Sequence, residues 1–368
     1  MFVIGFGVGG LTVPFDILAE FLPTDGRGTN LLCIEYFWTI GCLYVVAVVY
    51  VFQHQWRVFV ALCTLPCLLS LIMGIIYVPE SPRWLAEQDG RLQEATQGLH
   101  AAAKVNGKDL PNFRLEPLAS DHEQHSASVM ELFRPRWRKI VLLLWGTWAV
   151  SAFGYYGTLM VITRVFESES KEDDGENFDF SAIFISNAAE VLGVTLVILL
   201  VDWIGRIPSQ VISYALSGMF LAGLCGWAEL QAPRFILISL GFGARVFVMA
   251  ATCVTWVSTA EILTTDVRST GHSIANALAK IGATLCPYVV EGDLRLKWVG
   301  LILFSVQIFA AACVSRLPET AGRELGAATD SADSAGQDEP EATALVVDGD
   351  TPGSEEEHQV VTLDGELT

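Results

Sequence analysis

An all-α, multi-pass membrane fold of about nine transmembrane helices is predicted by three observations: composition, the length of the apolar runs, and an internal repeat. The 368 residues are 52% hydrophobic and 17% charged, where a soluble domain carries roughly 25% charged residues. A bilayer is crossed by a helix of about 20 apolar residues. Runs of that order recur at 2–19, 30–51, 58–78, 140–163, 181–201, 208–228, 234–257, 269–290 and 297–316. Helices at the surface of a soluble protein keep one polar face, yet Leu192 to Val201 is apolar on every side. The repeat is Glu20-Phe21-Leu22-Pro23-Thr24-Asp25-Gly26-Arg27 against Glu261-Ile262-Leu263-Thr264-Thr265-Asp266-Val267-Arg268. Each copy is followed by two apolar runs and then an echo, Pro79-Glu80-Ser81-Pro82-Arg83 or Pro318-Glu319-Thr320-Ala321-Gly322-Arg323. A repeat of this length means two related helical bundles.

The repeat also divides the chain. Residues 1–78 read as a remnant of the first bundle, 79–139 as a central loop, 140–325 as a six-helix second bundle and 326–368 as a tail. Four runs separate Pro79-Glu80 from Glu261, but one precedes Glu20. Symmetry therefore expects three further helices before residue 1. Met1 enters an apolar run directly, so a truncated gene model or a splice fragment is the expectation.

Taken in order, the first run carries Gly5-x-Gly7-x-x-Gly10. No strand precedes it, so a dinucleotide fingerprint is excluded. Gly5-x-x-x-Gly9 reads instead as a surface for close helix packing. In the central loop, Leu85, Leu92, Ala95, Leu99 and Ala102 fall at helical spacing and predict one interfacial helix from Leu85 to Ala103. Arg134-Pro135-Arg136-Trp137-Arg138-Lys139 reads as an anchor at the anionic leaflet. The eight cysteines all lie in apolar runs and are expected to pack as small hydrophobes without disulfides.

Charge sets the orientation. Connections on one side hold 14 Lys/Arg and those on the other hold six, and positive charge collects in the cytoplasm. Loop 79–139 and the C-terminus are therefore expected to be cytoplasmic. The net charge is −19, of which −13 lies in residues 317–368. The tail beyond Gly326 is rich in acids and small polar residues without an aromatic, a composition expected to be disordered.

Several short motifs resemble the major facilitator superfamily, whose layout is two six-helix halves. Pro79-Glu80-Ser81-Pro82-Arg83-Trp84-Leu85 with Gly90-Arg91 resembles the sugar-porter signature after helix 6. Asp202-Trp203-Ile204-Gly205-Arg206 resembles the D-x-x-G-R signature between helices 8 and 9, although Ile207 stands where a second basic residue is usual. Leu317-Pro318-Glu319-Thr320-Ala321-Gly322-Arg323 resembles the ending after helix 12. Ala19-Glu20-Phe21-Leu22-Pro23, Ile34-Glu35-Tyr36-Phe37-Trp38-Thr39-Ile40-Gly41, Glu131-Leu132-Phe133 and Ala152-Phe153-Gly154-Tyr155-Tyr156-Gly157 are similar to the synaptic vesicle 2-related group, with organic-ion carriers as close relatives. On this resemblance the nine runs are helices 4–12, and helices 1–3 are absent.

The resemblance implies secondary active transport of a small, charged organic solute by alternating access, with a proton gradient as a candidate driving force. It implies a monomer in the plasma membrane or an intracellular vesicle. No catalytic triad, metal set or phosphate loop occurs in a soluble segment, so an enzyme, a cofactor and a nucleic-acid partner are not expected. A binding or sensor protein on the same fold, or an inactive fragment, are the alternatives.

Charged residues inside apolar runs supply the pathway candidates, because a charge at mid-bilayer costs at least about 2.5–3.5 kcal/mol and calls for a partner or a cavity. They are Glu35, Glu190, Arg245 and Lys280, joined by Tyr155 and Tyr156 between Gly154 and Gly157, a pair able to kink helix 7. Arg245 and Lys280 would attract an anionic group, and Glu190 would balance one of them; Glu35 or Glu190 would carry a proton. The latch candidates are Glu20 with Arg27, Glu80 with Arg83, Asp202 with Arg206, Glu261 with Arg268, and Glu319 with Arg323. In the family such clusters hold the two halves shut on the cytoplasmic side. A structural ion pair or a helix cap is the competing reading of each.

Overall fold

The structure is a computed structural model, and it describes residues 5, 7–8, 10–52, 55–88, 90–108, 113–115, 129–170, 180–323, 325, 344–347 and 359–362. Twelve α-helices follow in order: α1 (Val13–Phe21), α2 (Arg27–Leu32), α3 (Glu35–Phe52), α4 (Trp56–Tyr77), α5 (Pro82–Glu87), α6 (Leu92–Val105), α7 (Pro135–Ser170), α8 (Phe180–Ile204), α9 (Arg206–Glu229), α10 (Arg234–Ile262), α11 (Thr265–Val290) and α12 (Leu296–Val314). Among the described residues, eight segments are long and apolar enough to cross a membrane: α2 with α3, α4, and each of α7 to α12. The chain is a multi-pass membrane protein. The first run, 2–19, lies partly outside the described residues. Its described part ends in a 3-10 turn at Gly10–Thr12 and α1.

Helices α7 to α12 form one bundle. Helix α9 lies against α10 and α12, α7 against α11 and α12, and α8 against α10. Small residues set these contacts, since without a hydrophobic drive between helices in lipid it is close van der Waals approach that associates them. A Cβ at Gly282 would overlap the Ala149 carbonyl, so α11 and α7 touch backbone to backbone there; Gly193 meets the Val246 carbonyl between α8 and α10 in the same way. The glycines flanking the tyrosine pair receive α12 side chains, Gln307 at Gly154 and Leu303 at Gly157. Helix α7 runs through them without interruption.

The first bundle contributes α1 to α4. Helix α3 packs on α8, and α1 and α2 reach α10. Helix α4 has no buried residue, and its largely apolar surface suits lipid contact. A Cβ at Gly5, Gly7 or Gly10 would meet nothing within 4 Å. The packing surface expected at Gly5-x-x-x-Gly9 is thus not formed at Gly5, and Gly9 lies outside the described residues.

The central loop departs from expectation twice. The single helix expected over Leu85–Ala103 is two, α5 and α6, because Gly90 adopts φ +78° between them, a conformation most residues avoid. Ser81 caps α5 by accepting from the Trp84 amide at 3.2 Å. Leu85, Ala95 and Leu115 then form a small buried cluster. Trp137 is not a leaflet anchor. It is 4% exposed and packs with Leu132, Val141, Leu144 and Leu263, because the start of α7 lies over the α10–α11 connection.

Leu115 belongs to β1 (Phe113–Leu115), which pairs antiparallel with β2 (Ala344–Val347), and β2 pairs antiparallel with β3 (Gln359–Thr362). These eight residues are the described part of the tail beyond Gly326. The two apolar stretches Ala344–Val347 and Gln359–Thr362 supply β-branched residues that acids elsewhere in the tail do not. The eight cysteines are free thiols, with Cys225, Cys253, Cys286 and Cys313 buried.

Candidate functional site

Two polar sites lie where the bundles meet. The first is at the end of the bundle where the α1–α2, α8–α9 and α10–α11 connections gather. Gly205, at φ +102°, turns the chain sharply from α8 into α9. The turn lets the Glu319 carboxylate approach within hydrogen-bond distance. Its Oε1 accepts from the Arg206 amide at 2.9 Å and its Oε2 from the Ile207 amide at 3.0 Å; Oε1 also accepts from the Thr320 and Ala321 amides. An acid at a helix N-terminus satisfies free amides and complements the dipole. A Cβ at position 205 would lie 2.8 Å from Oε2, so the turn requires glycine on two counts.

The same turn aims the Arg206 side chain inward. Its guanidinium grips Glu261 of α10 with two hydrogen bonds, Nε to Oε2 at 3.0 Å and Nη2 to Oε1 at 3.1 Å. This is the fork-to-fork geometry that suits arginine to carboxylates. Nη1 lies 2.8 Å from Asp202, four residues back, and Thr320 donates to Glu261 Oε2 at 2.5 Å. The network is internal to the second bundle.

Contacts to the first bundle are layered on it. Thr29 donates its hydroxyl (2.5 Å) and amide (3.3 Å) to Asp202. Gly28 lies so close that a Cβ there would sit 2.7 Å from Arg206 Nη2. Arg27 is buried and donates to the carbonyls of Leu22 and Arg323. Arg268 of α11 pairs with Glu20 of α1 at 2.5 Å. One helical turn deeper, His272 Nδ1 lies 2.7 Å from Asp16 Oδ1. Beyond it Thr12 meets Ser273 at 3.4 Å, and Asn276 donates to the Val8 carbonyl at 3.3 Å.

The second site is deep in the bundle. Glu190 of α8 and Arg245 of α10 are paired and almost fully buried. Tyr155 of α7 donates to Glu190 Oε1 at 2.7 Å and accepts from Arg245 Nη2 at 3.3 Å. Its ring lies under the guanidinium, 4.7 Å from centroid to Cζ, within cation–π range. Trp38 of α3, from the other bundle, donates to the Tyr155 hydroxyl at 3.2 Å. Tyr156 stands edge-on to Tyr155 with centroids 5.3 Å apart. Glu190 Oε2, Arg245 Nε and Arg245 Nη1 are buried without a hydrogen-bond partner among the described residues. Such groups are rare in folded proteins.

The family profile described as sugar (and other) transporter matches residues 1–330. The chain belongs to that family. Its relatives include svop-1 of Caenorhabditis elegans, 29% identical over 343 residues that make up 87% of this chain and 64% of the relative. They include an organic cation/carnitine transporter of Arabidopsis thaliana, 29% identical over 93% of this chain and 76% of that protein. The synaptic vesicle 2-related protein of Pongo abelii is 28% identical over 88% of this chain and 61% of its own length. The chain thus spans less than two thirds of svop-1 and of the synaptic vesicle 2-related protein. A solved structure of the proton:xylose symporter XylE, a major facilitator protein, aligns with TM-score 0.63 at 21% identity, covering 86% of this chain and 70% of that one. The fold is that of the major facilitator superfamily, and the resemblance to synaptic vesicle 2-related proteins holds.

Against this sugar-transporter fold the expected residues sort clearly. Asp202, Arg206, Glu261 and Glu319 come together, but Glu261 pairs with Arg206 and not with Arg268. Arg268 instead crosses to Glu20, leaving Arg27 on backbone carbonyls. Glu80 is exposed, whereas its repeat partner Glu319 caps the start of α9; Arg83 is half-buried, and Arg323 is exposed with its carbonyl taken by Arg27. Glu190, Arg245, Tyr155 and Tyr156 meet as one cluster. Glu35 is 9% exposed and has no ion pair among the described residues. Lys280 lies exposed on α11, in no ion pair among the described residues.

Asp16, His272, Thr29, Trp38 and Gly28 join these two sites without having been expected there. A signal was present for two of them. Asp16 lies four residues before Glu20, and His272 four residues after Arg268, so each shares a helix face with a latch residue.

Proposed function

We propose that the chain acts in secondary active transport, moving a small charged organic solute by alternating access. The observation that carries this reading is the Glu190–Arg245–Tyr155 cluster, buried at the depth of the membrane with three polar atoms unpartnered and with Trp38 of the opposite bundle bonded to it. A cluster of one carboxylate and one guanidinium offers complementary contacts to a solute bearing an ammonium and a carboxylate. Glu190 would receive the cation and Arg245 the anion. The name of the Arabidopsis relative, a cation and carnitine carrier, supports a charged cargo over a neutral sugar.

In this reading the contacts Arg268–Glu20, Thr29–Asp202 and Gly28–Arg206 close the cytoplasmic side, and the inward-open state breaks them. The excess of Lys/Arg on that side supports the assignment. The network inside the second bundle moves as a rigid unit. Of the two carboxylates expected to carry a proton, Glu190 is committed to Arg245, and Glu35 is the one left without a cation. The protein works as a monomer, and its synaptic vesicle 2-related relatives favour a vesicle membrane.

Counterflow in proteoliposomes tests the reading. Labelled organic cations, anions, zwitterions and sugars are trapped in turn. Exchange of a charged class is expected, with loss of at least tenfold in Arg245→Gln and in Glu190→Gln. Exchange of none, or exchange unchanged in both variants, would overturn it. Solute binding without counterflow would mark a sensor on the same fold.

A further inference from the structure

Helices α1 and α11 are joined by a ladder of polar rungs whose spacing is helical on both sides. Along α1 and the turn before it the rungs are Glu20, Asp16, Thr12 and Val8; along α11 they are Arg268, His272, Ser273 and Asn276. The outer rung is an arginine–carboxylate pair whose charge is fixed. The next rung differs, because imidazole changes charge between pH 5 and 8. His272 is fully buried. Among the described residues its Nε2 has no hydrogen-bond partner, and neither does Asp16 Oδ2. Three aromatic rings enclose it: Trp148 at 5.1 Å, Trp256 at 5.2 Å and Phe15 at 6.3 Å between centroids. Both indoles meet the imidazole edge to face, at interplanar angles of 71° and 62°.

From this arrangement we infer that Asp16 and His272 form a proton-binding site that latches the two bundles together. The inference rests on the alternating-access reading above. With a proton on the imidazole, the rung is an ion pair with no net charge. Without it, a carboxylate is left uncompensated inside the membrane, where an unpaired charge is costly. The proton is taken up as the rung closes, onto the imidazole ring. When the bundles part, Asp16 leaves with one and His272 with the other. Each then meets water, and the proton is released on that side.

Other charges around α11 do not substitute for this one. Helix α1 presents Asp16 and Glu20, and Glu20 is held by Arg268. Helix α10 presents Glu261, held by Arg206, and the 3-10 turn at Val129–Phe133 presents Glu131, held by Arg134. Helix α5 carries Arg83, and α7 carries Arg136, Arg138 and Lys139 at its start and places Trp148 beside the imidazole. Among these groups, His272 is the one imidazole.

The test is a distance measured against pH in the full chain in lipid nanodiscs. Fluorophores are placed through noncanonical amino acids at Asn30 and Arg316, exposed positions on the two bundles, and energy transfer is read from pH 5.5 to 8. The open population is expected to rise with pH, by up to about tenfold per unit for one linked proton. His272→Gln and Asp16→Asn should abolish the dependence, and His272→Arg should hold the closed distance at every pH. A wild-type curve that His272→Gln leaves in place, or a wild-type distance that ignores pH, overturns the proposal. Arg268→Gln separates the two readings. If it lengthens the distance at all pH values while the wild type ignores pH, the latch stands and the proton site falls; if it changes nothing, the latch itself falls.

Discussion

Arg268 and Glu20 occupy different copies of the same repeat, yet they pair with each other across 248 residues at 2.5 Å. Their own in-copy partners are elsewhere: Glu261 is taken by Arg206, and Arg27 by carbonyls. One acid and one arginine of the repeat thus pair across the bundles, while Glu261 stays within its own. Removing one partner of a buried pair costs about 3–5 kcal/mol because the other charge is left behind. Arg268→Gln should accordingly speed amide hydrogen exchange over residues 265–276 and 13–21, by at least tenfold. Exchange unchanged in both segments would show that the pair carries no weight in closure.

Gly28 tests the same closure by shape. Its approach to Arg206 and Asp202 leaves no room for a side chain. Gly28→Leu should separate α2 from α8 and cost about 1–3 kcal/mol, the usual range for overpacking. A lower melting temperature and faster exchange at Thr29 are the expected signs; Gly26→Ala, at φ +70° with no close neighbour but Asn30 at 3.8 Å, should lower stability through backbone strain without opening α8.

For the deep cluster, stability and function should come apart. Arg245→Gln or Glu190→Gln alone strands a buried charge and should lower the melting temperature. The double replacement Glu190→Leu with Arg245→Met removes both charges and should restore much of the loss, as buried pairs often tolerate apolar replacement. Counterflow should stay absent in the double variant. Recovery of counterflow together with stability would make the pair structural only.

Glu319 offers a contrast between charge and geometry. It accepts four backbone amides. Glu319→Gln keeps an acceptor but loses the charge and should cost about 1–2 kcal/mol. Glu319→Ala strands the amides and should cost more, by about 1–3 kcal/mol beyond that. Thermal unfolding in detergent would rank them; equal losses would show that water satisfies the turn.

The helical bundle was legible because hydrocarbon permits little else. Every backbone group must be satisfied within the segment, so apolar runs of this length become helices. The cluster of Glu190 and Arg245 was legible for the same reason, since a charge in such a run must find a partner. Lys280 obeyed no such rule, and its exposure on α11 was not foreseeable from its place in the run. The helix at Leu85–Ala103 was over-extended because apolar spacing does not register the single positive φ at Gly90. Trp137 was misplaced because a tryptophan beside basic residues looks alike whether it faces lipid or a neighbouring helix.

What the sequence by itself determined is one-dimensional: which segments cross the membrane, which two stretches repeat, and which residues carry charge where charge is costly. Those follow from the solvent and from local spacing. Pairing across the bundles was decided only by tertiary structure. Glu20 could have met Arg27 and Glu261 could have met Arg268, and both spacings allow it. Close approach at Gly28 and Gly205 brought Arg206 to Glu261 instead, and that freed Arg268 for Glu20. The same antiparallel contact of α1 and α11 then placed Asp16 against His272, a pair 256 residues apart that no local pattern links.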